Sequence, residues 1–208
     1  MHEGAAAAPY GMAMRQAEDG EVIFGVYSGR DTGRGMVGDV VPESRGLESW
    51  ASLPGGTTGV LGLYTPTGQR ISDTIPGTNQ SIRWGADMTT QLLDGALEVT
   101  PTIEDWQRGR LLTAEGTRTN NGTKGNASLI ADVFGDWREE LLVRTADSSA
   151  IRIYLSTEVT DRKLYTLMHD VQYRAEVARQ NTTYNQPSHP SFYLASDIDW
   201  SKVPVPAR

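Results

Sequence analysis

The sequence predicts an all-β chain, a partial β-propeller with room for about three to four blades. Three observations carry that expectation. Tyr, Trp and Thr recur in short runs bounded by Gly, Asn, Asp and Pro, the punctuation of many short strands rather than long helices. The 208 residues include 22 Gly and 10 Pro, which supply those breaks. A local pattern also recurs, in which apolar residues lead into one or two small ones and then an aspartate: "MVGD" ending at Asp39, "WGAD" at Asp87, "LIAD" at Asp132 and "LASD" at Asp197. The first three aspartates lie 48 and 45 residues apart. Units of about 45 residues, each holding several short strands, are what a propeller blade requires. A β-sandwich whose turns resemble one another by chance is the other arrangement compatible with the pattern.

Strand-like segments follow each of the first three anchors: "LESWASL", "QLLDGALEVT" and "EELLVRT". A further strand ending in tyrosine follows the first and third, within "VLGLYTPTGQRI" and "SAIRIYLSTEV". In "AIRIYL", alternation places Ile151 and Ile153 on one face and Arg152 and Tyr154 on the other, the period-2 signature of a half-buried strand. Small residues before each aspartate suit inner strands crowded near a central channel. A partial propeller would expose an open edge. With "MHEGAAAAPYGMAMR" reading like the interior of a loop and strand, residues 1–208 are expected to be the C-terminal portion of one domain, truncated at the N-terminus.

Composition narrows the function. A formal net charge of −7 offers no basic stripe to displace counterions from phosphate, so a nucleic-acid binder is not expected. An acidic protein can still take an acidic substrate when divalent cations or local Arg and Lys offset the repulsion. There is no cysteine, hence neither disulfides nor thiolate metal sites. No apolar run approaches membrane-spanning length, and the first residues lack the basic-then-apolar pattern of a signal peptide. Gly-x-Ser-x-Gly, His-Glu-x-x-His and phosphate-binding loops do not occur, and His2, His169 and His189 are not spaced as a metal pair.

Two acidic turns offer oxygen ligands. "DVFGDWREE" carries Asp132, Asp136 and Glu140, and "DVVPESRGLE" carries Asp39, Glu43 and Glu48. A tight glycine-containing loop with spaced acids can wrap Ca²⁺, which needs six to eight oxygens. Phe134 and Val41 occupy positions that such loops often fill with acids, and each aspartate could equally cap a turn by accepting backbone N–H groups. Between these turns lies "NNGTKGN", whose asparagines and glycines suit a loop with positive φ and whose one titratable residue is Lys124. Lys124 is either a solvated surface lysine or part of a site. The same choice applies to Tyr184 in "NTTYNQPSHP".

The run "NNGTKGNASLIADVFGDWREELLVRTADSSAIRIY", with "KLYTLMHDVQYR" and "YNQPSHPSFYL" after it and "HEGAA", "DTGRGM" and "GLYTPTGQRIS" before it, closely resembles the C-terminal part of the bacterial rhamnogalacturonan endolyases. The resemblance covers nearly the whole chain. It implies three to four blades of an eight-bladed propeller, secretion, bound Ca²⁺, and a monomeric lyase when full length. The implied substrate is rhamnogalacturonan-I, cut at its rhamnose–galacturonate α-1,4 bond by β-elimination. It also implies catalytic roles for Lys124 and Tyr184, substrate contacts from Arg34, Asn121, Gly122 and Thr123, and metal ligands among Asp132, Asp136, Glu140, Asp39 and Glu48. The competing expectation is a carbohydrate-binding propeller that keeps the scaffold without the chemistry.

Overall fold

Antiparallel strands joined in chain order build most of the structure, a computed structural model that describes residues 11–29, 32–52, 61–121, 124–180, 182 and 186–206. It divides into two units, Met1–Thr78 and Asn79–Arg208. The first begins with a hairpin of β1 (Gly11–Arg15) and β2 (Val22–Tyr27). A four-stranded meander follows, β3 (Gly35–Gly38), β4 (Glu48–Ala51), β5 (Leu63–Tyr64) and β6 (Arg70–Ser72). Phe24 stacks on Tyr64 with ring centroids 5.5 Å apart, and the indole of Trp50 donates to Gly77 O at 3.2 Å.

The second unit repeats the meander with β7 (Gln80–Ile82), β8 (Gln91–Asp94), β9 (Thr102–Asp105) and β10 (Gly109–Thr113). Its other sheet centres on β13 (Glu140–Thr145): β11 (Thr117–Arg118) and β12 (Leu129–Ala131) succeed one another along one edge, and β14 (Ile151–Tyr154) lies on the opposite edge. Both sheets contribute to one apolar core, in which Ile82, Leu93 and Ile103 meet Ile130, Leu141 and Val143. The half-buried alternation expected of β14 does not appear as a buried face: Ile151, Arg152 and Ile153 are all exposed, and only Tyr154 is partly buried. Tyr154 lies opposite buried Leu141 and packs on the core. The partner strand's register, not side-chain hydrophobicity, sets which residue packs there.

The expectation of an all-β fold stands. Among the described residues there is one α-helix, α1 (Val171–Arg179), with a few 3₁₀ turns. The Asp170 carboxylate caps α1 by accepting the Tyr173 N–H at 2.8 Å. A second apolar cluster, including Trp137, Leu167, Tyr173 and Leu194, anchors this C-terminal segment. No helix among the described residues is long and apolar enough to cross a membrane.

One device recurs in all three four-stranded sheets. In each, the first residue of one strand (β4, β8 or β13) turns its side chain back to accept two consecutive N–H groups just past the end of the strand before it (β3, β7 or β12). Glu48 Oε2 accepts Val40 and Val41, both at 3.1 Å. Gln91 Oε1 accepts Trp84 and Gly85 at 2.9 and 2.7 Å, and Glu140 Oε2 accepts Val133 and Phe134 at 2.8 and 3.1 Å. These amides would otherwise be orphaned where the strand ladder stops. The device also corrects the repeat register read from the sequence. The residue equivalent to Asp39 and Asp132 is Arg83, not Asp87, which instead accepts the N–H and hydroxyl of Thr89 within its own turn.

Candidate active site

The "NNGTKGN" segment is an excursion from the middle of a strand. Thr117 and Arg118 pair with Thr145 and Arg144, and pairing resumes with Leu129 opposite Leu142. Val143 alone spans the gap on β13, while the other side spends residues 119–128 on a loop. Internal bonds shape it: Asn120 N–H donates to Asn126 O at 2.7 Å, and Lys124 and Gly125 N–H both reach Asn121 O, at 3.2 and 2.9 Å.

The loop is pinned to the turn after β8. The Thr119 hydroxyl donates to Gly95 O at 2.6 Å, and Asn79 Nδ2 donates to both Leu93 O and Gly125 O at 3.4 Å. Gly125 has φ 59, and a Cβ there would fall 2.5 Å from Ala96 N, so only glycine lets the two loops approach this closely. The facing turn carries Leu97 at φ 62, 72% exposed. Arg144 holds the excursion from behind, donating to Thr119 O at 3.2 Å. Lys124 is thus half-buried on a loop fixed at both ends, and Asn121 is exposed beside it. Gly122, Thr123 and Tyr184 lie outside the described residues.

The segment holding Tyr184 runs between two described anchors. Gln180 accepts the Ile130 N–H at 2.9 Å and donates to Ile130 O and to Ser188 Oγ, while Arg83 Nη1 donates to Ser188 O at 3.0 Å. Ile130 belongs to β12, the strand into which the lysine loop returns. Sequence reading missed the anchors Thr119, Asn79, Gln180 and Arg83, since a single polar residue in a loop carries no pattern. Nearby His189 is held neutral: burial, and then the charges of Arg83 and Arg179, lower its pKa to about 4. Arg34 lies in the first unit, one residue before β3, where its carbonyl accepts the Ser52 N–H at 3.0 Å.

The acidic turns are strongly hydrogen-bonded. Asp132 Oδ1 accepts Gly135 N–H at 2.7 Å, and Oδ2 accepts Trp137 and Leu167 N–H at 3.2 and 2.7 Å. Asp136 pairs with Arg138, and Glu140 clips two amides as described. With N–H donors aimed at these oxygens, the Asp132 turn fits a hydrogen-bonded cap and not a calcium cage. Among the described residues, no group of three or more His, Asp or Glu is placed to hold a metal. Asp39 and Glu48 fit a cation better. Both are buried, Glu48 Oε1 has no hydrogen-bond partner, and burial followed by the Asp39 charge raises the Glu48 pKa.

Comparison with known proteins supplies the family. Residues 1–204 match the rhamnogalacturonan lyase family 11, C-terminal domain. Over 217 aligned residues the chain is 46% identical to the rhamnogalacturonan exolyase YesX of Bacillus subtilis, covering 100% of this chain and 35% of that protein. It is 45% identical to the rhamnogalacturonan endolyase YesW of the same organism, over 92% of this chain and 30% of that protein. Among solved structures, the exotype lyase YesX superposes with TM-score 0.88 at 44% identity, covering 97% of this chain and 35% of that one. A Bacillus licheniformis rhamnogalacturonan lyase superposes at 0.82 with 44% identity, covering 93% and 32%. The chain spans about a third of the length of these relatives, and it belongs to the rhamnogalacturonan lyase family 11, as that family's C-terminal domain.

Proposed function

We propose that this chain carries the lysine-bearing part of a polysaccharide lyase that cuts the rhamnose–galacturonate α-1,4 bond of rhamnogalacturonan-I. The observation that supports this most is Lys124, which stands on a strand excursion clamped by Thr119, Asn79 and Gly125 within the family's matched region. A freely solvated surface lysine would need no such clamp, whereas a proton-transfer group must be held in place.

In β-elimination a base takes the proton from C5 of the uronate, the C4–oxygen bond breaks, and a C4=C5 double bond forms. The departing oxygen keeps the bond's electron pair and takes up a proton. Lys124 and Tyr184 divide these two proton transfers. Asn121, Gly122 and Thr123 hydrogen-bond the sugar, and Arg34 pairs with a uronate carboxylate in fork geometry. Calcium, when bound, would neutralise the paired charges of Asp39 and Glu48, the residues that would hold it. The rest of the reading is a secreted protein whose sheets are blades of a propeller completed by a polypeptide of family length.

The test is direct. In the full-length protein, Lys124→Ala abolishes the rise in ultraviolet absorbance that marks an unsaturated uronate, and Tyr184→Phe reduces it strongly. Undiminished product from Lys124→Ala would remove the lysine from the chemistry. Product length then separates internal from terminal cleavage, the property that divides the two curated relatives.

A further inference from the structure

Gln180, at the C-terminal end of α1, is 4% exposed and commits its whole side-chain amide to two partners. Its Oε1 accepts the Ile130 N–H at 2.9 Å, while Nε2 donates to Ile130 O and to Ser188 Oγ, the latter at 2.9 Å. Both main-chain groups of buried Ile130 are therefore met by one side chain, where a neighbouring strand would otherwise be needed. These bonds fix the amide's orientation, since the Ile130 N–H must face its oxygen and the Ile130 carbonyl its nitrogen. Neither near relative supplies the same set: glutamate lacks the two donors, and asparagine is shorter by a methylene. Arg83 Nη1 donates to Ser188 O at 3.0 Å, so Ser188 is gripped at its hydroxyl and its carbonyl alike.

Ile130 lies on β12, just beyond the excursion of residues 119–128 that carries Lys124. Gln180 and Ser188 bracket residues 181–187, the stretch that contains Tyr184 in sequence. One buried amide thus joins the strand into which the lysine loop returns to both ends of the stretch that follows α1. We propose that Gln180 is a positioning residue for the elimination, holding the lysine loop's return strand and the ends of the 181–187 stretch at a fixed separation. This rests on the lyase reading and extends it, from the groups that move protons to the one that spaces them. Proton transfer demands such spacing, because a displacement of about 1 Å can cost on the order of a hundredfold in rate, even from a change remote from the chemistry. Burial makes the tie costly to break, since each bond lost leaves an Ile130 main-chain group without a partner away from water. A buried amide contacts no sugar, so its loss acts on turnover and not on binding.

The experiment measures release of unsaturated uronate from rhamnogalacturonan-I by the full-length protein and its variants, each corrected for the folded fraction at the assay temperature. Ser188→Ala cuts one tie and lowers kcat about three- to tenfold. Gln180→Met keeps the length of the side chain, cuts every tie and lowers kcat about a hundredfold. KM stays within about twofold of wild type in both. Gln180→Glu still accepts the Ile130 N–H but meets Ile130 O with a second oxygen, until a proton supplies a donor. Its kcat relative to wild type therefore rises as pH falls, a recovery that Gln180→Met lacks. A glutamine that merely stabilises the fold would lower the melting midpoint and leave kcat per folded molecule unchanged, and that result overturns the proposal. A rise in KM at constant kcat overturns it as well. If Gln180→Met does not fold, Ser188→Ala decides by the same criteria. A wild type that releases no unsaturated uronate removes the lyase reading and this proposal together, whereas an active wild type with unaffected variants removes this proposal alone.

Discussion

The Tyr173 hydroxyl ties the C-terminal helix to the strand ends beneath it: it donates to Glu139 Oε1 at 2.7 Å and accepts the Asp132 N–H at 3.0 Å. Glu139 is itself joined to the end of β7, accepting the Arg83 amide at 2.8 Å. All of these groups are buried. Burial, and then the charge and hydrogen bond of Glu139, push the phenol above its ordinary pKa, so it stays a donor. Tyr173→Phe keeps the ring and removes the hydroxyl, leaving one amide and one carboxylate oxygen short of a partner. The expected cost is about 1–3 kcal/mol, read from chemical denaturation. An unchanged midpoint would mean that water replaces the bond without penalty.

Gly125→Ala tests whether the lysine loop depends on its contact with the turn after β8. The new methyl would fall 2.5 Å from Ala96 N and 2.6 Å from Gly95 C, at a φ of 59 that alanine disfavours. Neither neighbour is a side-chain tip that could swing aside. Activity should fall at least tenfold, with a stability loss of about 1–3 kcal/mol. Near-wild-type turnover would show that the loop's placement is not fixed by this contact.

Much of this architecture can be read from the residues, and the exceptions have physical causes. Short strands and their ends were legible because Gly, Asn, Asp and Pro bound them. The mid-strand excursion was not, since β11 pairs through only Thr117 and Arg118 and two residues carry no periodicity. The repeat register was misplaced because Arg83 and Gln91 replace the acids found at the equivalent positions of the other two sheets, while a nearby turn aspartate, Asp87, imitates the motif. Helix α1 was equally hidden: Tyr173 is its one buried residue, so it shows little of an amphipathic stripe. Lys124 stood out through family resemblance, whereas the clamp around it emerged only from folding.

Glu140 makes a pH prediction with an internal control. Burial, offset in part by the Val133 and Phe134 amides and reinforced by Asp132 and Asp136, raises its pKa above the ordinary 4.5. The protonated form is therefore favoured by folding. Its contribution is present in full below the ordinary value and is lost as pH rises through the raised one. Asp170 runs the other way. Burial opposes ionisation, but bonds from Ser191 and Tyr173 outweigh it, so that contribution is lost as pH falls through the lowered pKa. Gln91 shows that a neutral amide performs the same two-amide clip. Glu140→Gln should accordingly raise stability at neutral pH and flatten the melting profile above the ordinary carboxylate range. A loss of stability at neutral pH would show that the charge is needed there.

Glu48 occupies the equivalent position in the first unit, and it separates a calcium ligand from a simple clip. Its Oε2 holds the Val40 and Val41 amides, while its Oε1 is buried without a hydrogen-bond partner beside Asp39. Two buried carboxylates with an oxygen left over favour a divalent cation over mutual repulsion. If calcium closes this pair, chelation lowers the wild-type melting midpoint, and calcium at a hundredfold excess over its dissociation constant restores about 2.7 kcal/mol. Glu48→Gln then loses stability and no longer responds to calcium. A Glu48→Gln variant that is stabilised like Glu140→Gln, in a protein indifferent to chelation, would leave the glutamate as a clip alone.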